Sequence, residues 1–134
     1  MYSEIFSAVK ALATSYAAPY TEIDNGSMPA ENGLAMYSGP GLSTQRHFDK
    51  GGIYEIVIAL NGKHQDLGIL LPVMSNIHRK LSMKTDYPSG ADWEILDIET
   101  ATPPNYLERE ASGTRQWLYG SLLRVTFLAK GECL

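Results

Sequence analysis

Apolar residues near the start of the chain recur every three or four positions. The stripe comprises Ile5, Val9, Leu12 and Tyr16, with Phe6 and Ala13 beside them. This spacing is typical of an amphipathic helix that docks on a sheet. We expect Ser3 to cap the helix and Pro19 to end it.

Residues 53–60 alternate with period two, which predicts a strand. Tyr54, Ile56 and Ile58 share one face, while Ile53 and Val57 lie on the other. Because both faces are largely apolar, we expect a central strand that is covered on each side. The Asn-Gly pair at positions 61 and 62 predicts a turn directly after it.

A second helical stripe follows. Its apolar positions are Leu67, Leu70, Leu71, Met74, Ile77 and Leu81. Asp66 is suited to cap this helix, which we expect to run to about residue 83. Pro72 conflicts with the pattern, because a proline inside a helix costs about 3 kcal/mol. The helix therefore either begins near Leu71 or is kinked.

Two further strands are predicted in the second half. Residues 93–100 alternate, and the prolines at positions 103 and 104 are expected to end that strand. Residues 105–114 predict a charged loop, and residues 115–129 a final strand. We expect the strands of Trp93 and Trp117 to pair, with much of each indole buried against the helices.

Residues 19–52 differ from the rest in composition, since they hold six of the twelve glycines. This stretch is predicted to be a loop-rich arm with short strands at residues 34–37 and 45–48. It is either a contact arm or an unstructured surface loop. The predicted fold is a single α+β domain over residues 1–134, a mostly antiparallel sheet with two helices in the order α-β-β-α-β-β.

Composition narrows the functional classes. The chain has 134 residues, a net charge of −4, and 44% hydrophobic content, which fits one globular domain. The acidic balance argues against a dedicated nucleic-acid binder. Cys133 is the single cysteine, so no internal disulfide can form and a reducing compartment is expected. The sequence predicts neither a cleaved signal peptide nor a membrane span.

Candidate catalytic groups are scattered. His47, His64 and His78 match no compact metal motif, and we expect surface or structural histidines, with a metal site or catalytic base as the alternative. Asp97 and Glu99 share one side of a strand, which is more typical of a solvated face than of a catalytic pair. The sequence His78-Arg79-Lys80 with Lys84 is a basic cluster at a helix end, where it either complements the helix dipole or binds a polyanion. We expect no catalytic residue, no metal and no cofactor.

The second half also resembles a known family. The residues that carry the resemblance are Ser89-Gly90, Trp93, the run from Ile98 through Thr100 into Thr102-Pro103-Pro104, the glutamates before Gly113, and Trp117-Leu118-Tyr119 with Leu123, Val125 and Phe127. This arrangement is similar to the tail terminator proteins of long-tailed bacteriophages, often labelled minor capsid proteins. The first helix and the strand-helix unit after residue 53 also fit, so the resemblance covers most of the chain outside residues 19–52.

The resemblance implies a structural virion protein and no enzyme. Such a protein forms a homo-oligomeric ring, expected to be a hexamer, on the end of the tail tube. It stops polymerisation of the major tail tube protein and offers the surface that joins head-tail connector proteins. DNA is only passing cargo, no membrane is involved, and the site of action is the head-proximal end of the virion tail, assembled in the host bacterial cytoplasm.

Subunit contacts are expected in two charged regions, whose residues are Arg46, Asp49, Lys50, Pro103, Pro104, Glu108, Arg109, Glu110 and Arg115. Opposite charges in these regions are suited to pairing between neighbours in a ring, although alternating surface charge also serves solubility. The alternatives are another head-tail connector or tail tube component, a small hydrolase that uses the histidines, or a module that binds a small ligand or nucleic acid.

Overall fold

The computed structural model describes residues 2–38 and 52–129, which form an α+β fold. The elements in chain order are α1 (Tyr2–Ser15), β1 (Ile23–Asn25), β2 (Gly33–Ser38), β3 (Gly52–His64), α2 (Leu67–Ser82), β4 (Trp93–Arg109) and β5 (Trp117–Ala129). The predicted α+β class is confirmed. The predicted order is only partly right, because a further short strand, β1, precedes β2.

The strands form one five-stranded sheet in the order β1-β2-β3-β5-β4. β1 runs parallel to β2, whereas the other three neighbouring pairs are antiparallel. The sheet is therefore mixed. β1 escaped prediction because it has only three residues, of which Ile23 alone is buried.

The first helix buries the predicted stripe, since Ile5, Val9 and Ala13 are fully buried. It begins at Tyr2, so Ser3 lies inside its first turn and the prediction that Ser3 caps it is wrong. The second helix is capped as predicted: the Asp66 carboxylate accepts a 2.9 Å hydrogen bond from the Gly68 N–H. Pro72 lies within this helix on its exposed side. The helix thus begins four residues before Leu71.

β3 continues through Asn61 and Gly62, so the turn predicted there is wrong. Both residues pair with β2 on one side and β5 on the other. Glycine is needed at position 62 for another reason: an added Cβ would lie 2.5 Å from Cδ1 of Leu70 on α2. The close approach of the helix, rather than a turn, explains this glycine.

β4 continues through Pro103 and Pro104, so the predicted strand end is wrong as well, and residues 105–109 are strand instead of loop. Both prolines are tolerated here because β4 is the edge strand and because its pairing with β5 passes from Thr102 to Asn105, so that neither proline has a partner on β5. The pairing with β5 shifts register at several points, including both sides of the prolines. The final strand is confirmed, starting at Trp117.

One face of the sheet is covered by both helices. Helical residues such as Val9 and Met74 share a single core cluster with Ile58, Leu123 and Phe127. The opposite residues of β3 and β5 lie outside that cluster, and Ile53 is 37% exposed. We call these the covered face and the open face. Within the described ranges no helix joins the core from the open face, which corrects the expectation that β3 is covered on both sides.

Residues 39–51 lie outside the described part of the chain. The strand predicted at residues 45–48 and the candidate contacts Arg46, Asp49 and Lys50 fall there. The rest of the loop-rich arm includes β1 and the predicted strand at 34–37, which is confirmed as β2. Neither of the two described helices has the length and apolar content of a membrane span.

Candidate functional site

The described candidate contact residues gather at one end of the β4–β5 hairpin. We define the hairpin end as residues 105–119, which cover the end of β4, the turn and the start of β5. Glu108, Arg109, Glu110 and Arg115 all lie within it. Pro103 and Pro104 precede it on the edge strand.

The turn is held from inside by Gln116, which is fully buried. Its side-chain oxygen accepts a 2.8 Å hydrogen bond from the Asn32 N–H, and its amide nitrogen donates to Thr114 Oγ1 at 2.9 Å. Its backbone N–H donates to the Glu110 carboxylate at 3.2 Å. The turn, which was predicted as part of a charged loop, is therefore tied to the segment before β2.

Glu110 is engaged within its own chain. Lys63 Nζ lies 2.7 Å from Glu110 Oε2. The hydrogen bond from Lys63, followed by the one from the Gln116 N–H, holds the pKa of the Glu110 carboxyl below its ordinary value. This carboxylate thus links β3 to the hairpin turn, and its charge is already matched inside the subunit.

Arg109 is also engaged. Its guanidinium carbon lies 4.2 Å from the centre of the Trp117 ring, within cation–π range. Its Nε–H donates to the Arg115 carbonyl at 3.2 Å. Arg115 itself has a φ of +53°, a left-handed conformation that side-chain-bearing residues rarely adopt. The sequence did predict that these residues lie together, but not that they would contact one another.

An aromatic cluster lies beside Arg109. Tyr106 meets Trp117 and Tyr119 edge to face, with ring centres 6.2 and 6.0 Å apart. Tyr106 is 55% exposed and the adjacent Leu107 is 48% exposed. Ordered strand residues with this much exposed apolar surface are suited to protein contacts.

The tryptophans differ in burial. Trp93 is 6% exposed, whereas Trp117 is only partly buried and contacts Tyr106 and Arg109. Their strands pair as predicted, but Trp93 faces Ala129 and Trp117 faces Arg109, so they occupy opposite ends of the hairpin. The expected burial holds for Trp93 and only in part for Trp117.

The open face carries a shallow depression of about 300 Å³ beside the hairpin end. Its lining includes Tyr37, Asn61, Asn105 and Leu107. Leu107 leans over Gly120, where an added Cβ would lie 2.9 Å from Leu107 Cδ1. The depression therefore adjoins the exposed side chain of Leu107, whereas Tyr106 lies on the other side of β4 with Tyr119.

A row of charges crosses the open face. Arg124 on β5 lies 2.8 Å from Glu99 on β4 and 3.8 Å from Glu55 on β3. The hydrogen bond with Glu99 is the main reason that the pKa of Arg124 is raised above its ordinary value. Asp97 is exposed on the same face of β4 as Glu99. Asp97 and Glu99 lie on a solvated strand face, which is the interpretation that the sequence favoured over a catalytic pair.

His78 is buried between α2 and the sheet. Its Nδ1 lies 2.8 Å from Thr100 Oγ1 and its Nε2 lies 2.7 Å from Ser121 Oγ. Because the Ser121 hydroxyl donates to the Leu60 carbonyl, His78 Nε2–H donates to Ser121 and Nδ1 accepts from Thr100. Burial lowers the pKa of His78 to about 4.

The direction of these hydrogen bonds fits a histidine that has a structural role. A base that activates a serine must accept the hydroxyl proton, whereas His78 donates to Ser121 Oγ. His78 also leaves the predicted basic cluster, because it is buried while Arg79 and Lys80 are exposed. Its position in the helical stripe, four residues after Met74, is the signal that could have identified it as a core residue.

The other histidines do not join His78. His64 Nδ1 accepts a 2.7 Å hydrogen bond from the Asp66 N–H at the start of α2, and its ring meets Tyr20 edge to face. His47 lies outside the described residues. In the ranges 2–38 and 52–129, no group of three or more His, Cys, Asp or Glu residues is placed to hold a metal ion.

The sequence has no match among protein-family models or among curated proteins. Function is therefore inferred from the geometry of the molecule. Its most distinctive surface is the hairpin end with the adjoining depression on the open face.

Proposed function

We propose that this protein is a structural subunit of a bacteriophage tail, a tail terminator. It forms a hexameric ring on the last ring of tail tube protein, stops tube polymerisation and offers the surface that joins head-tail connector proteins. DNA passes through the ring as cargo. The ring acts at the head-proximal end of the virion tail, after assembly in the host bacterial cytoplasm.

The sequence resemblance in the second half motivates this proposal, and one observation supports it. Tyr106 and Leu107 expose about half of their surface on an ordered strand whose turn is tied down by Gln116. A contact surface held in place before binding avoids the entropic cost of ordering it on assembly. A ring built from many identical contacts benefits from this at every interface.

The hairpin end also changes the expected nature of the contact. Charge pairing between neighbours was expected to involve Arg109 and Glu110, but both are engaged within the subunit. The exposed apolar groups left for a neighbour lie on the two sides of β4: Tyr106 beside Trp117 and Tyr119, and Leu107 over Gly120 on the open face. A neighbour that contacts the edge of β4 reaches both of them.

A ring contact must be heterologous, which requires two different complementary patches on each subunit. The hairpin end supplies one of them. The two proline positions before it stiffen the chain that leads to Tyr106, since proline restricts its own φ and the residue before it. The restricted backbone at the two prolines and the anchored turn together hold the hairpin end in one orientation.

The experiment combines two substitutions, Tyr106→Ser and Leu107→Ser, in the full chain. Light scattering after size exclusion measures the oligomer, and electron microscopy measures the length of tubes assembled with the tail tube protein of the same phage. We expect the parent to form rings and to limit tube length. The double variant should stay folded, remain monomeric at concentrations where the parent assembles, and leave tubes overlong.

Met28→Ser combined with Met83→Ser is the matched control, because these side chains are 60% and 69% exposed and lie outside the hairpin end. This variant should assemble like the parent. Rings of unchanged stability in the hairpin variant would rule out the proposed contact. Rings that form but never affect tube length would contradict the terminator role while leaving the contact intact.

A further inference from the structure

Two shallow depressions lie at the β1–β2 edge of the sheet, opposite to the β4 edge. The larger one, of about 620 Å³, follows α1 past Ser7, Lys10 and Ala11. The smaller one, of about 290 Å³, lies between the start of α1 and the end of β2, beside Met36 and Tyr37. We call the two depressions together the α1 groove.

The two depressions meet at Phe6 and Asn25, which line both of them. Phe6 packs on the core cluster from α1 and is only partly buried. The rest of its surface contributes to the groove, whose lining is mostly apolar. Ser7 and Ala11 are exposed and have short side chains, so they leave space along the helix. The groove is thus suited to receive apolar side chains.

Of the described residues that line the groove, Lys10 alone is charged. Its Nζ donates a 2.9 Å hydrogen bond to Asn25 Oδ1, a neutral acceptor. An ammonium group has three N–H donors, so two of them remain. In the ranges 2–38 and 52–129, no carboxylate forms an ion pair with Lys10. The ammonium is therefore held beside the groove while its charge is left for a partner.

The hairpin end carries groups that complement the groove. Tyr106 and Leu107 expose about half of their surface. Glu108 follows them and is also exposed, and within the described part of the chain no cation forms an ion pair with it. Two apolar side chains and a negative charge thus stand at one edge of the sheet. An apolar groove with a positive charge stands at the other.

The order of side chains on β4 matches the groove. Leu107 lies over Gly120 and Glu108 pairs with Leu118, so both are directed to the open face, whereas Tyr106 lies on the other side of the strand. An apolar side chain and a carboxylate therefore reach the larger depression together, where Lys10 lies. The second apolar side chain reaches the smaller depression.

We propose that the α1 groove receives the hairpin end of a second copy of this chain. Leu107 and Glu108 of one copy lie beside Lys10 of the next, and Tyr106 enters the smaller depression. This inference rests on the proposed ring, for which it names the second patch. Because the two patches differ and lie at opposite edges, the contact is head-to-tail and each copy can make both contacts at once.

The first test reverses the charges in the full chain, with Lys10→Glu and Glu108→Lys made separately and together. Each single change should raise the concentration at half assembly by about tenfold, because an attractive pair becomes a like pair. The combined variant restores an opposite pair and should return to within about threefold of the parent. Lys80→Glu combined with Asp86→Lys is the matched control, since both residues are exposed outside the two patches. It should assemble like the parent.

The second test mixes two variants that each keep one patch. Tyr106→Ser with Leu107→Ser removes the hairpin patch. Ala11→Tyr with Lys10→Glu fills the groove and reverses its charge, and urea denaturation checks that the fold is kept. Sedimentation velocity should show that each variant alone is monomeric. The mixture should form a 1:1 dimer and nothing larger, because no matched patches remain after one head-to-tail contact.

Several outcomes would overturn the proposal. Assembly of the groove variant at the parent's concentration, or charge reversals without rescue, would exclude the groove and leave the ring in place. Normal rings that no longer bind tube ends would assign the groove to the tail tube protein. A parent that never assembles, with no dimer in the mixture, would contradict both the ring and the contact. A 1:1 dimer together with tubes of unlimited length would support the contact and contradict the terminator role.

Discussion

The two faces of the sheet are made by the same strands but have different roles. On β5, Leu123, Val125 and Phe127 are fully buried beneath the helices, whereas Arg124 and Thr126, one residue away, remain partly exposed on the open face. Strand alternation alone separates them. Fold stability is thus concentrated on one face, and the other is left for surface chemistry.

Polar groups follow the same division. On the covered face, His78 has hydrogen-bond partners on both ring nitrogens. On the open face, Arg124 and Glu99 form an ion pair in contact with water, and such pairs contribute only about 0 to 1 kcal/mol. His78 is thus fully satisfied on the covered face, although the Trp93 Nε1–H on the same face is buried without a hydrogen-bond partner among the described residues, while a polar group on the open face can be exchanged at little cost.

The largest test of this difference is Phe127→Ala. This side chain is fully buried and stacks near Tyr54, with ring centres 5.8 Å apart. Its loss should lower the free energy of unfolding by about 3 to 5 kcal/mol, because a cavity remains in the core. Thr126→Ala, its neighbour on the open face, should change stability by under about 1 kcal/mol. Urea denaturation measures both, and similar losses would mean that the open face is also packed.

The second test uses pH. Burial lowers the pKa of His78 from 6.5 to about 4, so the unfolded chain binds a proton more readily than the native one between these values. The stabilising contribution is complete above pH 6.5 and is lost as the pH falls towards 4. Since one pKa unit corresponds to about 1.4 kcal/mol, we expect a loss of roughly 2 to 3 kcal/mol from this group.

His78→Gln separates this effect from that of carboxylates such as Glu110, whose pKa is held below its ordinary value and whose protonation destabilises the fold as the pH falls further. The variant should be less stable than the parent at pH 7, and its stability should fall less between pH 7 and 4. Parallel pH profiles for parent and variant would show that His78 is not the titrating group.

The smallest test compares two glycines on opposite faces. At Gly62, an added Cβ lies 2.5 Å from Leu70 Cδ1 and 3.0 Å from both Leu34 Cδ2 and Met74 Sδ, all held in the core. Gly62→Ala should therefore cost about 1 to 3 kcal/mol through overpacking.

At Gly120 an added Cβ would lie 2.9 Å from Leu107 Cδ1, on a side chain that is 48% exposed, and 3.0 Å from Asn61 Oδ1, at the end of a partly exposed side chain. Gly120→Ala should change the free energy of unfolding by less than about 1 kcal/mol, since alanine also reduces the entropy of the unfolded chain. Thermal unfolding of the two variants makes the comparison. A larger loss for Gly120→Ala would reverse the assignment of covered and open faces at this end of the sheet.

Local signals in the sequence predicted both helices, and the Asp66 cap in particular, because helical periodicity and capping depend on neighbouring residues. The errors lie where tertiary context prevails. Asn61 and Gly62 form a turn in isolation, yet here they are paired on both sides. The prolines at 103 and 104 end a central strand but not an edge strand, and strand order is not a local property.

The candidate site was only partly predictable for the same reason. The sequence placed Arg109 and Glu110 in one charged region, but the partners Lys63 and Trp117 depend on strand register. Gln116 carries no periodic signal of burial, since it lies just outside β5. His78 was assigned to the basic cluster instead of the core, although the helical stripe includes its position.

The strand order also governs how the chain reaches this structure. The longest central pairing joins β3 to β5, with Gly52 opposite Ala129 and His64 opposite Trp117, and all of α2 and β4 lie between them in the chain. Such distant pairing makes folding slow, because a long loop must close before the contacts form. During synthesis β3 emerges well before β5, so the apolar residues of β3 remain exposed until β5 has been synthesised.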